Sequence, residues 1–173
     1  MSQSEIQPIQ FEMAIEQIKA ARHYTLSMIE DIEESHWFEQ PDSCPSHIAW
    51  QVGHLAMAEY GLALFRQRGR ISEDANLMPG RFRRAFQRGS EPKPDATAYP
   101  TPSEIVTTLS LVHERVLAER LEWSMEDLQT TIDQPYAVYP NRLGALLFCA
   151  HHEMIHAGQI GIMRRLLGKD PVR

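Results

Sequence analysis

Hydrophobic residues recur at helical spacing in four long stretches of the chain, residues 9–34, 46–68, 101–122 and 141–168. Apolar positions three and four residues apart form one face of an α-helix, so each stretch predicts an amphipathic helix. None of the stretches shows the alternation of apolar and polar residues that is typical of a strand. The chain is therefore predicted to be all-α, and four long amphipathic helices with two substantial connections are typical of a four-helix bundle.

The ends of the predicted helices carry local signals. The third helix begins with the sequence Thr101-Pro102-Ser103-Glu104, which combines a capping box with proline at the first helical position. Ser46 and Asn141 are the expected N-caps of the second and fourth helices. Gly168 stands where a left-handed residue ends a helix, and Gly69 is expected to stop the second helix. These signals predict helix boundaries as well as helix number.

Residues 69–100 interrupt the helical pattern. The segment is rich in proline and glycine, and a connection of this length inside a compact domain is unusual and tends to be functional or mobile. A short helical turn is predicted at residues 81–87. Seven arginines fall between Arg66 and Arg88, against two acidic residues. The favoured interpretation is a solvated surface with local salt bridges, and the alternative is an anion-recognising edge of a pocket.

Composition narrows the class of protein. The 173 residues suit one domain, residues 1–173, and the net charge of −6 argues against general nucleic-acid binding. Two cysteines, Cys44 and Cys149, make no disulfide framework and fit a reducing compartment. The first six residues lack the features of a signal peptide, and no apolar run approaches the roughly 20 residues of a membrane span. We therefore expect a cytoplasmic protein without nucleic-acid or membrane partners, and a homodimer is compatible with the sequence.

Histidines are the candidate metal ligands. His152 and His156 lie four residues apart on the fourth helix and share one face. Such a pair alone is more often two hydrogen-bonded side chains than a metal site, but His54 adds a third imidazole from the apolar second helix. Three histidines with an open position are typical of a catalytic type of metal site. His47 is expected to be a polar surface residue near the helix end, and His151 is expected to be exposed because it points about 100° away from His152.

Three neighbours on the fourth helix are further candidates. His152-Glu153-Met154-Ile155-His156 matches the HExxH pattern of zinc peptidases, but only 17 residues follow and they contain neither His nor Glu as a third ligand, so a peptidase is not expected. Glu153 stays a candidate for a base or for a group that orients a ligand. Cys149 and Gln159 share the ligand face by spacing. We expect Cys149 to be a buried apolar residue rather than a ligand, and Gln159 to orient a ligand or a water.

The sequence around these histidines resembles a known family. Trp50-x-x-Gly53-His54-Leu55-Ala56, together with His152-x-x-x-His156-x-Gly158-Gln159-Ile160, is similar to the DinB/YfiT-like superfamily, and the resemblance extends over essentially the whole chain in helix order. It implies a four-helix bundle of up-down-down-up topology and a divalent metal held by His54, His152 and His156. It also implies relatives that include thiol-dependent enzymes using bacillithiol, mycothiol or glutathione, and others without an established activity.

The leading functional hypothesis is a metal-dependent enzyme that activates a water or a low-molecular-weight thiol, and so acts as a hydrolase or an S-transferase on a small-molecule substrate. Three imidazoles suit zinc or nickel first, and also iron or copper. The sequence assigns no catalytic residue beyond the ligands. Two alternatives stay open. One is a non-catalytic metal-binding or stress-associated helical bundle, and the other is a metal-free helical interaction protein.

Overall fold

The computed structural model describes residues 3–41, 44–133 and 138–172, with side chains from residue 8 onward. Within these ranges the chain is helical and has no strand, apart from an isolated bridge between Thr131 and Asn141. The α-helices are α1 (Gln3–Ile29), α2 (Ile48–Tyr60), α3 (Arg66–Arg68), α4 (Asp74–Leu77), α5 (Gly80–Phe86), α6 (Pro102–Glu119), α7 (Met125–Leu128) and α8 (Arg142–Leu166). The all-α prediction is confirmed for this part of the chain.

Local signals placed most of the helix ends correctly. The Thr101 hydroxyl and the Glu104 carboxylate form the predicted capping box at the start of α6. The side chain of Asn141 accepts a hydrogen bond from the backbone N–H of Gly144 at the start of α8, and Gly168 adopts φ 77° after its end. At the start of α2 the prediction of Ser46 as cap is wrong. The Nδ1 atom of His47 accepts from the backbone N–H of Trp50 instead.

The first helix is shifted relative to its prediction. The apolar pattern indicated residues 9–34, whereas α1 spans Gln3–Ile29. The start was predicted too late because the first residues of the helix are mostly polar and show no apolar periodicity. The end was predicted too late because apolar residues after the helix are also buried. Ile32 and Trp37 lie in the connection that follows the helix, and they are 6% and 4% exposed. Periodicity alone does not distinguish a buried residue in a helix from one in the following turn.

Contacts between the long helices define their relative directions. Arg22 of α1 binds Glu153 of α8, and further along both helices Arg164 of α8 donates to the Met28 carbonyl of α1. These two helices therefore run in the same direction. Their packing buries Ile15, Ile18 and Ile160 completely, whereas Ile155 and Ile162 of α8 are 57% and 56% exposed.

The second helix packs against both α6 and α8. Glu59 of α2 binds His113 of α6, and Arg68, two turns later, binds Glu119 at the end of α6, so these helices are parallel. Toward α8 the order is reversed. Gln51 meets His156, whereas Gln67 donates to the carbonyl of Arg142 at the opposite end of α8. The antiparallel contact brings the middle of α2 beside the middle of α8.

The path from α2 to α3 contains a π-helical turn, Gly61–Phe65. The chain stays helical through this turn, and the helix ends at Gly69, as the sequence predicted. Gly69 has φ 79°. π-helical turns are rare and occur frequently at functional sites. Here the turn follows the histidine-bearing part of α2 by about two helical turns.

Residues 69–100 pack onto α2 through α5, the short helix predicted there. Phe82 and Phe86 are buried, and a Cβ atom added at Gly53 would lie 2.5 Å from the ring of Phe86. The absence of a side chain at Gly53 leaves room for this aromatic ring, and the contact packs α5 against α2.

Within the part of the chain that the structure describes, no helix combines the length and the apolar character that crossing a membrane requires.

Candidate metal centre

Three imidazoles converge where α2 crosses α8. His54 comes from α2, and His152 and His156 come from successive turns of α8. One ligand nitrogen from each lies within 4.8 Å of the other two, and the ring centroids are 4.6 to 5.5 Å apart. The helical spacing of four residues sets the pair on α8, and the antiparallel packing adds the third ring.

The ring of His54 is held by two contacts. Its Nδ1 atom lies 2.8 Å from the carbonyl oxygen of Phe86, the last residue of α5. Because a carbonyl only accepts, Nδ1 carries the proton and Nε2 keeps a lone pair. The indole of Trp50 stacks on the imidazole at 4.7 Å with an interplanar angle of 5°. Residues 69–100 thus supply the hydrogen bond that fixes the tautomer of this histidine.

The ring of His156 is held by an amide. Its Nδ1 atom lies 2.5 Å from Oε1 of Gln51, and the Nε2 of Gln51 donates to the hydroxyl of Ser46 at 2.8 Å. The hydroxyl holds the amide so that its oxygen faces the imidazole. His156 therefore donates from Nδ1 and presents Nε2, as metal-binding histidines do when a second group accepts from the other nitrogen.

The third imidazole, His152, lacks such a partner. Within the described residues its Nδ1 atom is buried and makes no hydrogen bond. Buried polar atoms are rarely left unpaired, because the missing hydrogen bond costs about 1–3 kcal/mol. An unpaired nitrogen on one ring of a three-imidazole cluster is compatible with a metal site, because a bound ion would supply the missing partner.

Burial keeps all three imidazoles neutral. It lowers the pKa of His152 to about 4, with a further contribution from His54. It lowers the pKa of His156 to about 3, and His152 and His54 lower it further. The pKa of His54 is also lowered by burial, against the opposing effect of the hydrogen bond to Phe86. Neutral imidazole is the form that binds metal, so the donor set fits a divalent transition metal at neutral pH.

A cavity of about 300 Å³, called here the α2–α8 cavity, opens beside two of the three rings. Its lining residues are His54, Met57, Ala58, Gly61, Leu62, Phe65, Arg66, Arg88, Phe148 and His152. The cluster is therefore accessible from one side. A larger open groove of about 650 Å³ lies elsewhere, between α1 and α6, and among the described residues none of the three histidines lines it.

The other candidates of α8 take different positions. Glu153 is buried and binds Nε of Arg22 at 2.8 Å, outside the histidine cluster. Cys149 is also buried outside the cluster, and burial together with the nearby carboxylates of Glu59 and Glu153 raises the pKa of its thiol. Cys149 is therefore buried, as expected, and its not being a ligand stays a prediction. Gln159 is exposed, and the glutamine that contacts a ring of the cluster is Gln51.

The sequence did not identify Gln51, which holds the ring of His156, because Gln51 lies on α2 and His156 on α8 and no pattern along the chain relates them. A second error concerns His47, which was expected at the surface and is completely buried, since it caps α2 and packs against Phe38 and Tyr99. His151 is exposed, as predicted.

Four of the seven arginines from Arg66 to Arg88 have a salt bridge or a place in the cavity wall. Arg68 binds Asp74 and Glu119, and Arg81 binds Glu104, in agreement with the prediction of local salt bridges. Arg66 and Arg88 are among the residues that line the α2–α8 cavity.

These observations define a helical protein with a candidate three-histidine metal centre beside a small cavity. The family model of the DinB superfamily matches residues 17–160, which include all three histidines. The chain belongs to the DinB superfamily. No curated protein matches it in sequence.

Proposed function

We propose that this protein binds one divalent transition metal, zinc or nickel, through His54, His152 and His156, and that it is a metal-dependent enzyme acting on a small molecule. The observation that carries the proposal is the convergence of three neutral imidazoles, two of them with Nδ1 held by an acceptor, beside an open cavity. Metal ions in helical bundles are held in this manner by inward side chains of facing helices.

The proposal includes the architecture, a single domain over residues 1–173 with four long helices in up-down-down-up order. Its support is the pairing of contacts. Arg22 with Glu153 makes α1 parallel to α8, and Glu59 with His113 is part of the parallel contact of α2 with α6. Gln51 with His156 is part of the antiparallel contact of α2 with α8.

A divalent metal, when bound, would lower the pKa of a coordinated water or thiol and so supply a nucleophile near neutral pH. Two contacts within the chain hold imidazoles in the orientation that this chemistry requires. The Phe86 carbonyl and the Gln51 amide fix two imidazoles with Nε2 available, which avoids reorganisation when the metal binds. The α2–α8 cavity provides room for a substrate on the open side of the cluster.

Transfer of a low-molecular-weight thiol to an electrophile is the leading reaction, and hydrolysis is its alternative. Glu153, the one residue of the HExxH pattern suited to act as a base, is bound to Arg22. The nucleophile would therefore be activated by the metal rather than by this carboxylate. Because Glu153 is bound to Arg22, it provides no base. This observation also favours a second candidate function, a metal-binding bundle without catalysis.

The metal assignment is tested by elemental analysis of protein purified without an affinity tag. We expect stoichiometric metal in the unchanged protein and a sharp loss in His54→Ala, His152→Ala and His156→Ala. His151→Ala, one residue from a ligand but exposed, is the matched control and should retain its metal. Equal loss from His151→Ala, or full occupancy after His54→Ala, would show that the ligand set is wrong.

The reaction is tested with bacillithiol, mycothiol and glutathione against one chromogenic electrophile, using metal-loaded and chelated protein side by side. We expect at least one thiol to react faster with metal-loaded protein, and His152→Ala to remove the acceleration. If no thiol exceeds the uncatalysed rate, and none changes the spectrum of the cobalt-substituted protein, thiol transfer is excluded. Hydrolysis or simple binding then becomes the leading function.

A further inference from the structure

We propose that Ser90 is a positioning residue of the candidate metal centre, which it reaches through the indole of Trp50, and that the turn at residues 87–90 and a bound metal stabilise each other. This inference rests on the proposed metal site and deepens it, because it names a segment of the chain that controls the metal affinity. Ser90 lies outside the three-histidine cluster and belongs to the long connection at residues 69–100.

The hydroxyl of Ser90 connects the indole of Trp50 to the main chain at the end of α5. It accepts a hydrogen bond from Nε1 of Trp50 at 2.9 Å and donates to the carbonyl oxygen of Ala85 at 2.9 Å. A serine hydroxyl has one proton, and because the carbonyl of Ala85 takes it, the lone pairs of the hydroxyl remain for the indole N–H. The Ser90 hydroxyl therefore ties the nitrogen of the indole to the backbone of α5.

A turn fixes the position of Ser90. Its backbone N–H donates to the carbonyl of Gln87 at 3.0 Å, which closes residues 87–90 into a β-turn. Gly89, the third residue of this turn, has φ 86°, a conformation that L side chains rarely adopt. A Cβ atom added at Gly89 would meet nothing within 4 Å, so alanine there would strain the backbone without a steric clash. Gly89→Ala therefore disturbs the turn and removes no side-chain atom.

Contacts from residues 85–90 reach His54 in two ways. The carbonyl of Phe86 accepts from Nδ1 of His54 at 2.8 Å. The indole that Ser90 holds covers one face of the imidazole, with the ring centroids 4.7 Å apart and an interplanar angle of 5°. The hydrogen bond fixes the tautomer, and the stacked indole opposes rotation of the ring. Both contacts together direct the lone pair of Nε2, the atom that is left to bind a metal.

Stacking on an indole favours the metal-bound state of His54. A divalent ion draws electron density from a coordinated imidazole, and the face of an indole attracts positively charged groups within about 6 Å. The separation of 4.7 Å between the two rings meets this condition. Because the contact is stronger with metal than without it, a group that holds the indole in place raises the metal affinity. By linkage, a bound metal stabilises the contacts of that group in return.

The affinity for zinc, measured by competition with a chromophoric chelator, tests the role of Ser90. We expect Ser90→Ala to weaken zinc binding roughly fivefold, the size of one cation–aromatic contact, with the helical content unchanged. Gly89→Ala should weaken it as well. Ser27→Ala is the matched control, because the hydroxyl of Ser27 also donates to a backbone carbonyl at 2.8 Å but lies on α1. Normal zinc affinity in Ser90→Ala would overturn this inference and leave the metal proposal intact.

A double-mutant cycle tests the route through the indole. Trp50→Leu should weaken zinc binding at least as much as Ser90→Ala, and Trp50→Phe should recover part of that loss because it restores an aromatic face. Phenylalanine has no N–H for Ser90 to accept. In the Trp50→Phe background, Ser90→Ala should therefore have almost no further effect on the affinity. An equal fivefold loss in both backgrounds would show that Ser90 does not act through Trp50.

Hydrogen exchange tests the reciprocal effect of the metal on the turn. By linkage, zinc should slow the exchange of the backbone N–H of Ser90 by the same factor, roughly fivefold, by which the Ser90 contact raises the zinc affinity. Trp50→Leu should remove this protection. Equal exchange rates in metal-free and zinc-loaded protein would overturn the coupling between the turn and the metal.

The Nδ1 proton of His54 in metal-free protein separates this inference from the metal proposal. Its exchange with water requires the hydrogen bond to Phe86 to open, and the stacked indole should oppose this opening. We expect an NMR signal of this proton in the unchanged protein and in Ser27→Ala, and its loss in Ser90→Ala and Trp50→Leu. A signal that survives in both variants would overturn the positioning role. Loss of the signal as expected, in a protein that binds no zinc, would support the positioning of His54 and contradict the metal proposal alone.

Discussion

The three candidate ligands differ in what holds each ring. His54 is fixed by a backbone carbonyl and by stacking, and His156 by the amide of Gln51, whereas Nδ1 of His152 has no partner among the described residues. A metal ion needs all three lone pairs to point toward one position. The hydrogen bonds that set these directions should therefore matter almost as much as the ligands.

Gln51→Ala removes the acceptor for Nδ1 of His156 and frees the ring to rotate and to change tautomer. We expect the metal affinity to fall by about 10- to 100-fold with the helical content unchanged. Competition with a chromophoric chelator measures this affinity. Gln159→Ala is the control, since that glutamine is exposed on the same helix as His156. Equal affinities for Gln51→Ala and the unchanged protein would contradict the assigned role of Gln51.

Asp74 is a buried carboxylate whose ionisation should control part of the stability. Burial alone would raise its pKa, but hydrogen bonds from Arg68, from the N–H of Ile71 and from the hydroxyl of Tyr60 lower it to about 2, against 3.8 for the ordinary group. A carboxyl whose pKa is lowered by folding stabilises the folded chain above its unfolded pKa. This stabilisation is lost as the pH falls through the folded pKa.

We therefore expect Asp74→Asn to reduce the free energy of unfolding by roughly 2 kcal/mol at pH 7, as the difference between the two pKa values requires. The reduction should persist down to about pH 4 and shrink to less than about half at pH 2.5. Urea unfolding of both proteins at pH 7, 4 and 2.5 provides the comparison. A difference that is the same at all three pH values would contradict this interpretation.

Among the elements, the short helix α5 connects the long loop to the candidate site. Its last residue, Phe86, packs its ring on Gly53 and directs its carbonyl to Nδ1 of His54. Phe86, which lies within residues 69–100, thus contributes both to the packing of α5 and to the orientation of the candidate ligand His54. The position of α5 on α2 should therefore affect metal binding and stability together.

Gly53→Ala places a methyl group 2.5 Å from the Phe86 ring, so α5 has to move. We expect a loss of about 1–3 kcal/mol in the free energy of unfolding, as for overpacked sites, together with weaker metal binding. Gly61→Ala is the matched control, because its added Cβ meets nothing within 4 Å, and it should stabilise the helix by about 0.5–1 kcal/mol. Equal effects of the two substitutions, measured by urea unfolding and metal competition, would contradict the role of α5.

For the whole molecule, one buried polar network links the four long helices. Arg22 of α1 binds Glu59 of α2 and Glu153 of α8, and donates to the Leu109 carbonyl of α6. Glu59 also binds His113 of α6 at 2.7 Å. Glu153 therefore belongs to the interior that holds the helices in register, next in sequence to a candidate metal ligand but outside the cluster.

Arg22→Met keeps the apolar stem of the side chain but leaves two buried carboxylates without their cation. Removing one partner of a buried ion pair typically costs about 3–5 kcal/mol, so we expect a loss of this size in the free energy of unfolding. Arg81→Met breaks the exposed pair with Glu104 and should cost less than about 1 kcal/mol. A similar, small effect of both substitutions in urea unfolding would show that the network does not stabilise the fold.

The sequence by itself determined the features that depend on neighbours along the chain. The capping box of Thr101 and Glu104, the cap at Asn141, the helix stop at Gly69 and the left-handed Gly168 are local geometry, and the structure places them as predicted. The shared face of His152 and His156 is local as well, since it follows from the pitch of one helix.

The tertiary structure decided which residues meet across helices. It set Gln51 against His156 where spacing had favoured Gln159, it bound Glu153 to Arg22, and it buried His47. It also brought the carbonyl of Phe86 to His54, a contact made by the backbone and therefore absent from any side-chain pattern. The physical reason is the same in each case. Periodicity identifies the face of a helix that is buried, but the register and rotation of two packed helices depend on how all their side chains fit together.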